Sequence, residues 1–177
     1  KRPKVQLQVR HPGEKFVERF EQNWPLPSTN WSKFYLDFEN MTLGNSNPSA
    51  EQTVSYDPMG DGITLTTKPL AEEVEITGPM AAKLFVSSES TDADLFLVVR
   101  AFYPDFKEVV FKGALDPHTP IAQGWLRASH RKLDKALTRP DRPYHTHDEK
   151  QPLSPGEVYE LDIEIWPSCI TLPKGFR

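Results

Sequence analysis

Apolar and polar residues alternate with a period of two in several short segments of the chain, whereas a helical period is nearly absent. Because successive side chains of a strand point to opposite faces of a sheet, this alternation predicts β-strands. The predicted strands cover residues 4–10, 33–38, 63–67, 81–88, 95–102, 108–115, 124–131 and 158–166. The unbroken apolar run 95–102 is expected to be buried on both faces. In the last strand, one face is expected to be apolar: Tyr159, Leu161, Ile163 and Ile165.

Turn residues separate the predicted strands, and 17 prolines against 9 glycines argue against long helices. The dipeptide at 155–156, Pro-Gly, predicts a turn before the last strand, and Asp-Gly at 61–62 predicts a hairpin. Residues 132–154 contain three prolines and a polar string, so they predict a long surface loop with at most one helical turn near 133–137. Many short strands with such turns indicate an all-β fold, a jelly-roll β-sandwich.

Composition and charge limit the classes of partner. The 177 residues are enough for a real core, and the net charge of −4 gives no reason to expect nucleic acid or a membrane surface as a partner. No apolar run approaches the ~18 residues of a membrane span. The single cysteine, Cys169, excludes an intrachain disulfide and favours a cytoplasmic location.

No catalytic residue is predicted in this chain. A hydrolase nucleophile elbow needs Gly-x-Ser-x-Gly at a turn from a strand to a helix. The nearest match, GNSNP at 44–48, lacks the second glycine. Cys169 has no histidine near it in sequence, so a thiol nucleophile is not indicated either.

A histidine pair is the main candidate for metal ligands. His145 and His147 lie in the segment YHTHDE, and two imidazoles at this spacing on a strand would point to one side. The segment is flanked by proline, and a third ligand from His118 or His130 would have to be supplied by the fold. A polar loop is therefore favoured, and we predict no metal site and no cofactor site.

The acidic pair Asp92 and Asp94 has two interpretations. With Glu89 upstream it could hold calcium, but the glycine and the spacing of a calcium-binding loop are missing, so turn residues are favoured. The strand that follows is expected to be buried, and buried charges persist when they are paired. We therefore predict a salt bridge between one of these aspartates and either Arg127 or Arg131.

Four tryptophans leave an alternative function open. Trp24, Trp31, Trp125 and Trp166 could form a platform for sugars, although packing in the core or between domains is favoured because they are scattered along the chain. A stand-alone carbohydrate-binding module is the alternative class, and it requires these aromatic side chains to be exposed.

Eight segments in order, with compatible spacing, resemble the C-terminal part of the cocaine esterase and X-Pro dipeptidyl-peptidase (CocE/NonD) family of α/β-hydrolase serine hydrolases. The resemblance covers nearly the whole chain and rests on PKVQLQV, WPLP at 24–27, KFYLDF, VSYDP at 54–58, EITGP at 75–79, KLFVSSESTDADLFLVV at 83–99, GWLRASHR, and LSPGEVYELDIEIWPS with PKGFR.

The resemblance implies a domain arrangement and a role. Residues 1–40 would be the end of a hydrolase domain with its linker, and 50–177 a galactose-binding-like jelly roll. The Ser-Asp-His triad would lie before Lys1, so His11 is not assigned as a base. The chain would then be a non-catalytic domain of a hydrolase of ester or peptide bonds. It would support the upstream hydrolase and cap domains, its expected partners, and help shape the acyl pocket.

The end of the chain departs from the family pattern. The pattern reads Gly-His-Arg before a long final strand, whereas this chain reads Gly-Phe-Arg, with Phe176 in place of the histidine. The final strand of the family pattern, which would begin after Arg177, is therefore expected to be cut off in this chain. Because an open sheet edge recruits partners, we predict either self-association through that edge, giving a homo-oligomer, or a gap the width of one strand.

Overall fold

The computed structural model of the chain describes residues 2–177, which form an all-β fold of eight strands. In chain order these are β1 (Val5–His11), β2 (Lys15–Glu21), β3 (Tyr35–Asp37), β4 (Thr42–Gly44), β5 (Val74–Val86), β6 (Asp94–Val99), β7 (Ala122–Arg127) and β8 (Tyr159–Leu172). A single turn of 3-10 helix, Ala128–His130, follows β7. Within residues 2–177, no helix is both long and apolar enough to cross a bilayer.

The largest sheet has the strand order β2-β1-β8-β5. Strands β5 and β8 pair antiparallel along nearly their whole length, with a bulge between Gly78 and Met80. The hairpin of β1 and β2 joins this main sheet through one parallel pair, Arg10 with Ile170. The Arg10 guanidinium strengthens the junction by donating to Ile121 O at 2.7 Å and to Ser168 Oγ at 2.8 Å.

A two-stranded ribbon of β6 and β7 packs against the main sheet and completes the sandwich. A small buried cluster beside β1 consists of Leu7, Val9 and Leu26. Alternate residues of both layers point inward and form two larger clusters, as the period-two pattern requires. Their buried members are Leu95, Leu126, Ala128, Leu153, Leu161 and Ile163 in one cluster, and Ala101, Val109, Phe111, Ile121, Ile170, Leu172 and Phe176 in the other.

Gly124 marks the closest approach of the two layers. A β-carbon at this position would lie 2.9 Å from the Ile165 α-carbon and even closer to the Glu164 carbonyl oxygen. Real β-carbons do not approach backbone atoms so closely, so only glycine lets β7 cross β8 here.

The C-terminal residues are paired on both sides. Gly175 N donates to Leu70 O at 2.9 Å, and Phe102 and Arg177 exchange backbone hydrogen bonds of 2.8 and 3.1 Å. Phe176 is buried in the core, with its ring centroid 4.9 Å from that of Tyr103. The side chain at the position of the family's histidine is thus a core residue in this chain.

The strands of the main sheet are predicted well by alternation, whereas short or isolated segments are not. Predicted strands 4–10, 81–88 and 158–166 correspond to β1, the second half of β5 and the first part of β8. Two strand predictions are wrong, because these segments form only isolated β-bridges. Segment 63–67 forms one at Thr66, and segment 108–115 forms one at Glu108 and another at Phe111. Alternation measures amphipathicity, and these segments have it without a neighbouring strand to pair with over their length.

Strands β2 and β4 were not predicted. Both are partly exposed members of short hairpins, so neither has a clean apolar face. Predicted strand 124–131 ends early, because the chain turns into the 3-10 helix after Arg127. Predicted strand 33–38 is reduced to the three residues of β3.

The turn predictions have mixed outcomes. Gly156 adopts φ of 81°, and Glu157 N donates to Ser154 O, so the turn at 155–156 is confirmed. Gly62 also has a positive φ, of 71°, but no paired strands flank it, so the predicted hairpin is wrong. Residues 132–154 form a long loop without helix or strand, as predicted.

Candidate functional site

The outer surface of the β6–β7 ribbon carries large apolar side chains. Phe96 and Trp125 are directly opposite each other in the register, and Val98 follows two residues along β6 on the same side. Trp166, at the bulge of β8, places its ring centroid 5.0 Å from that of Trp125. We call these four residues the aromatic face.

The aromatic face is open to solvent. Phe96 is 74% exposed, Trp166 59%, Val98 52% and Trp125 50%. This corrects the prediction that the run 95–102 is buried on both sides, since only its inner residues are. Fully burying one such side chain contributes roughly 1.5–3 kcal/mol, and clustered apolar exposure of this kind marks interaction surfaces.

An ion pair borders the aromatic face. Arg127 donates from Nε and from the NH2 nitrogen to the two Asp94 oxygens, both at 2.7 Å. The paired guanidinium lowers the pKa of Asp94, and the carboxylate raises the pKa of Arg127. The predicted salt bridge is thus confirmed, but its physical reason differs: the residues are exposed cross-strand partners rather than buried charges.

Asp92 anchors the backbone at the end of β7. Its two carboxylate oxygens accept from Ser129 N at 2.9 Å and Ser129 Oγ at 2.6 Å. Burial would raise the pKa of Asp92, but the hydrogen bonds from Ser129 and Ala93 outweigh it, so the pKa is lowered. This is a turn-stabilising role, as favoured from the sequence.

The outer surface of the main sheet has the opposite character. Arg19 donates to both Glu75 oxygens, at 2.7 and 2.8 Å, and this hydrogen bonding lowers the pKa of Glu75. Lys83 bridges Glu160 and Asp162, and its hydrogen bond with Glu160 raises the pKa of the lysine. We call these five residues the charged face.

Three histidines converge at the base of the loop 132–154. The Nδ1 atoms of His130 and His147 are 3.1 Å apart, and the ring centroids of His145 and His147 are 5.9 Å apart. Burial, followed by the neighbouring His147, lowers the pKa of His145. The fold therefore brings His130, one of the two residues named as a possible third ligand, to the pair. Across residues 2–177, no set of three or more His, Cys, Asp or Glu side chains is arranged to hold a metal ion.

The remaining candidates of the sequence have ordinary surroundings. Ser46 is exposed in a bend after β4 and no helix follows it, unlike a nucleophile elbow. Cys169 is half-buried, and its sulfur accepts a hydrogen bond from Thr77 Oγ1 at 3.4 Å. The assignment of no catalytic residue to this chain stays a prediction.

The tryptophans are exposed, so core packing is the wrong interpretation for them. Trp24 and Trp31 lie in the segment between β2 and β3 and are 40% and 55% exposed. Trp125 and Trp166, far apart in sequence, meet on the aromatic face. Their exposure is compatible with contact with another domain and with contact with a sugar.

Sequence reasoning missed Phe96 and Val98 as surface residues. The run 95–99 is apolar at every position, so no alternation reveals its outer side. The neighbouring strand does carry the signal: β7 alternates Gln123, Trp125 and Arg127 with small or apolar residues. A large aromatic residue between two polar ones on the same side indicates an outer surface that is not simply solvated.

The geometry defines a class of protein: an all-β module with an open aromatic outer face. Residues 1–177 match the family described as the X-Pro dipeptidyl-peptidase C-terminal non-catalytic domain. The chain belongs to this family, which is found in CocE/NonD hydrolases.

Three relatives illustrate the match. Cocaine esterase of Rhodococcus sp. is 25% identical over 213 residues, covering 99% of this chain and 33% of that protein. A CocE/NonD family hydrolase of Staphylococcus aureus is 30% identical with a TM-score of 0.92, covering 99% of this chain and 32% of that structure.

An aminopeptidase of a marine sediment archaeon, Thaumarchaeota archaeon, shares the fold alone, with 18% identity and a TM-score of 0.70 over 98% of this chain and 32% of that structure. The chain thus spans about a third of the length of each of these three proteins.

Proposed function

We propose that this chain is the supporting C-terminal domain of a longer serine hydrolase of the acyl esterase or X-Pro dipeptidyl-peptidase type. The single observation that carries the proposal is the aromatic face. A non-catalytic domain can support a catalytic domain by packing against it, and an open apolar surface is suited to such packing. We therefore assign the aromatic face as the contact with the hydrolase and cap domains.

Energetics support this assignment. Covering four large side chains contributes roughly 1.5–3 kcal/mol for each one that becomes fully buried. The Asp94–Arg127 pair at the border suits a rim, where polar groups stay close to water. The charged face, whose ion pairs are already satisfied within the chain, is assigned to solvent.

The division of the chain is part of the proposal. Residues 1–40 are the end of the hydrolase domain with its linker, and residues 50–177 are the jelly-roll sandwich. One register pair joins β1 to β8, whereas β5 and β8 pair along nearly their whole length. The first hairpin is thus the less firmly attached part of the main sheet, as expected where two domains meet.

The finer role is to help form the wall of the acyl pocket. The loop 132–154 begins just after Arg127 and the 3-10 helix, at the Asp94 end of the aromatic face. A domain seated on that face would bring its pocket near this loop. In the longer enzyme, acyl transfer would use a serine nucleophile, a histidine base oriented by aspartate, and backbone donors for the oxyanion, all outside this chain.

An activity comparison tests the catalytic part of the proposal. We expect the longer polypeptide to hydrolyse a chromogenic acyl ester and to react with a serine-directed fluorophosphonate, while the 177-residue chain does neither. Turnover and labelling by the chain itself would mean that it contains a nucleophile and that the assignment is wrong.

Matched variants test the contact. Phe96→Ser in the longer enzyme should lower both kcat/KM and the temperature at which activity is lost, because a covered phenylalanine becomes a buried hydroxyl without a designed partner. Phe85→Ser is the control, since Phe85 is 68% exposed but points outward from β5, opposite Glu160. Equal effects of the two substitutions would contradict the assignment.

Carbohydrate binding is the second candidate, favoured by the exposed pair Trp125 and Trp166. The two rings contact each other, and their solvent-exposed sides could stack against a sugar ring. If the chain binds immobilised polysaccharide, and Trp125→Ala abolishes this binding, the aromatic face is a sugar site rather than a domain contact.

Self-association stays a prediction. Among residues 2–177, β6 pairs with β7 on one side and has no strand on its other edge, which is a different edge from the one predicted at the C-terminal end. A second copy could pair there. Sedimentation velocity of the chain would show a concentration-dependent dimer if it does, and a monomer at all concentrations would contradict it.

A further inference from the structure

We propose that His130 and His147 chelate one divalent late transition metal ion, and that this ion joins the two ends of the segment 131–146, which lies between them. The site is formed by side chains 17 residues apart in sequence that meet through their Nδ1 atoms. It goes beyond the proposed supporting role and does not depend on it.

The distance between the two nitrogens fits a shared ion. The Nδ1 atoms are 3.1 Å apart. With metal–nitrogen bonds of roughly 2.0–2.1 Å, this separation gives a ligand–metal–ligand angle of roughly 95–100°, between square-planar and tetrahedral values. In the structure the two nitrogens share a hydrogen bond, so both rings would have to turn to aim their lone pairs at one ion, which would take the place of the shared proton.

The backbone holds the two rings together. Thr146 N donates to Lys132 O at 3.1 Å, Asp134 N donates to Tyr144 O at 2.8 Å, and Leu133 and His145 form a bridge. These contacts make an antiparallel stalk; His147 directly follows Thr146 at its end, and His130 lies two residues before Lys132. His147 has φ of 53°, a conformation that non-glycine residues adopt at a cost and that recurs at binding sites.

Two carboxylates and one lysine border the histidine pair. Asp148 and Glu149 follow His147 directly, and both are paired with Lys132, at 3.0 and 3.4 Å. The buried Nε2 of His145 has no hydrogen-bond partner, and its ring is the next one along from His147. Two protein ligands are already in place, and water would complete the coordination.

The ligand type indicates which ions bind. Imidazole nitrogen suits zinc, copper(II) and nickel, and for a site of this kind affinity should be highest for copper(II). Calcium and magnesium prefer oxygen ligands and are expected not to compete. A bound ion would close the stalk in the same way as a cross-link, which favours the ordered loop over its open forms.

Calorimetric titration of the chain with zinc, copper(II) and magnesium chlorides is the test. We expect binding of one copper or zinc ion per chain, no binding of magnesium, and a loss of at least about tenfold in affinity in both His130→Ala and His147→Ala. His118→Ala is the matched control, because it removes a histidine outside the cluster, and it should bind as the unchanged chain does.

A second measurement does not depend on how the variants fold. In nitrogen-15 spectra of the unchanged chain, zinc should shift the Nδ1 resonances of His130 and His147 and leave those of His118 in place. The proposal is overturned if zinc and copper do not bind, if either alanine variant binds as tightly as the unchanged chain, or if His118 shifts equally.

Discussion

The two outer faces of the sandwich come from the same alternation of side chains but have opposite chemistry. The charged face of the main sheet carries ion pairs such as Arg19–Glu75, which are complete within the chain. The aromatic face of the ribbon carries four apolar side chains that are at least half exposed. The ion pairs of the charged face need no partner outside the chain. Contact between water and the aromatic face is unfavourable, so covering that face would lower the free energy.

Under the proposed function, this difference indicates which part of the surface contacts another domain. The inner faces of both layers are conventional core and serve to hold the outer faces in place. The aromatic face is where another domain binds under the proposed function, so substitutions on the two faces should have different consequences in the chain and in the longer enzyme.

The largest effect is expected where the two layers touch. Gly124→Val places a side chain against the Glu164–Ile165 backbone, where even a β-carbon does not fit. We expect a loss of at least about 3 kcal/mol in the free energy of unfolding, at the upper end of overpacking effects, measured by urea denaturation. Gly44→Ala is the control, since nothing lies within 4 Å of its added β-carbon. Similar stabilities of the two variants would disprove the close approach.

The second largest loss of stability is expected for a core substitution in β8, the strand that also carries Glu160 and Asp162 of the charged face. Ile163 is fully buried, whereas its neighbour Glu164 points to the outer surface of β8. Ile163→Ala should lower the free energy of unfolding by about 2–5 kcal/mol because it leaves a cavity. Glu164→Ala should change it by less than about 0.5 kcal/mol. Denaturation curves with overlapping midpoints for the two variants would contradict the assignment of inner and outer sides.

A smaller effect is expected on the aromatic face within the chain alone. Trp125→Ala removes the ring contact with Trp166 and should cost about 0.5–1.5 kcal/mol beyond the lost area. Trp31→Ala, an exposed tryptophan in the segment before β3, is the control and should cost less. If the control costs as much in thermal unfolding, the two rings do not stabilise each other.

The smallest effect concerns the pH dependence of the charged face. The bonds from Arg19 lower the pKa of Glu75 in the folded chain. Because the folded pKa is the lower one, this stabilisation is present above the unfolded value, near 4.3, and is lost as the pH falls through the folded value.

The expected size is less than about 1 kcal/mol, because the pair is partly exposed and screened by salt. Unfolding experiments between pH 7 and pH 3 measure it by comparing the unchanged chain with Glu75→Gln. The difference between them should shrink as the pH falls, and a difference that grows towards low pH would have the wrong sign.

The sequence predicted the strands in which apolar and polar residues alternate, because the alternation itself identifies the side chains that face the core. The inner residues Leu161 and Ile163 of β8 are examples, since period two and turn chemistry at 154–157 place them directly. The family was predicted from ordered segments, and the match over residues 1–177 confirms it.

The remaining features depend on contacts between distant residues. Trp125 meets Trp166, and His130 meets His147, only because the fold brings separate segments together. The outer side of β6 was mispredicted because a uniformly apolar run has no polar residue to mark its surface. Burial of such a run depends on whether a covering layer exists, and the chain's own sequence does not specify that layer.

The most direct test of the domain contact is hydroxyl-radical footprinting of Phe96 and Trp125 in the 177-residue chain and in the longer hydrolase. We predict that both side chains are oxidised several-fold more slowly in the longer enzyme, while Phe85 is oxidised at the same rate in both. Equal rates for Phe96 and Trp125 in the two proteins, or protection of Phe85 instead, would show that the aromatic face is not the surface on which the hydrolase rests.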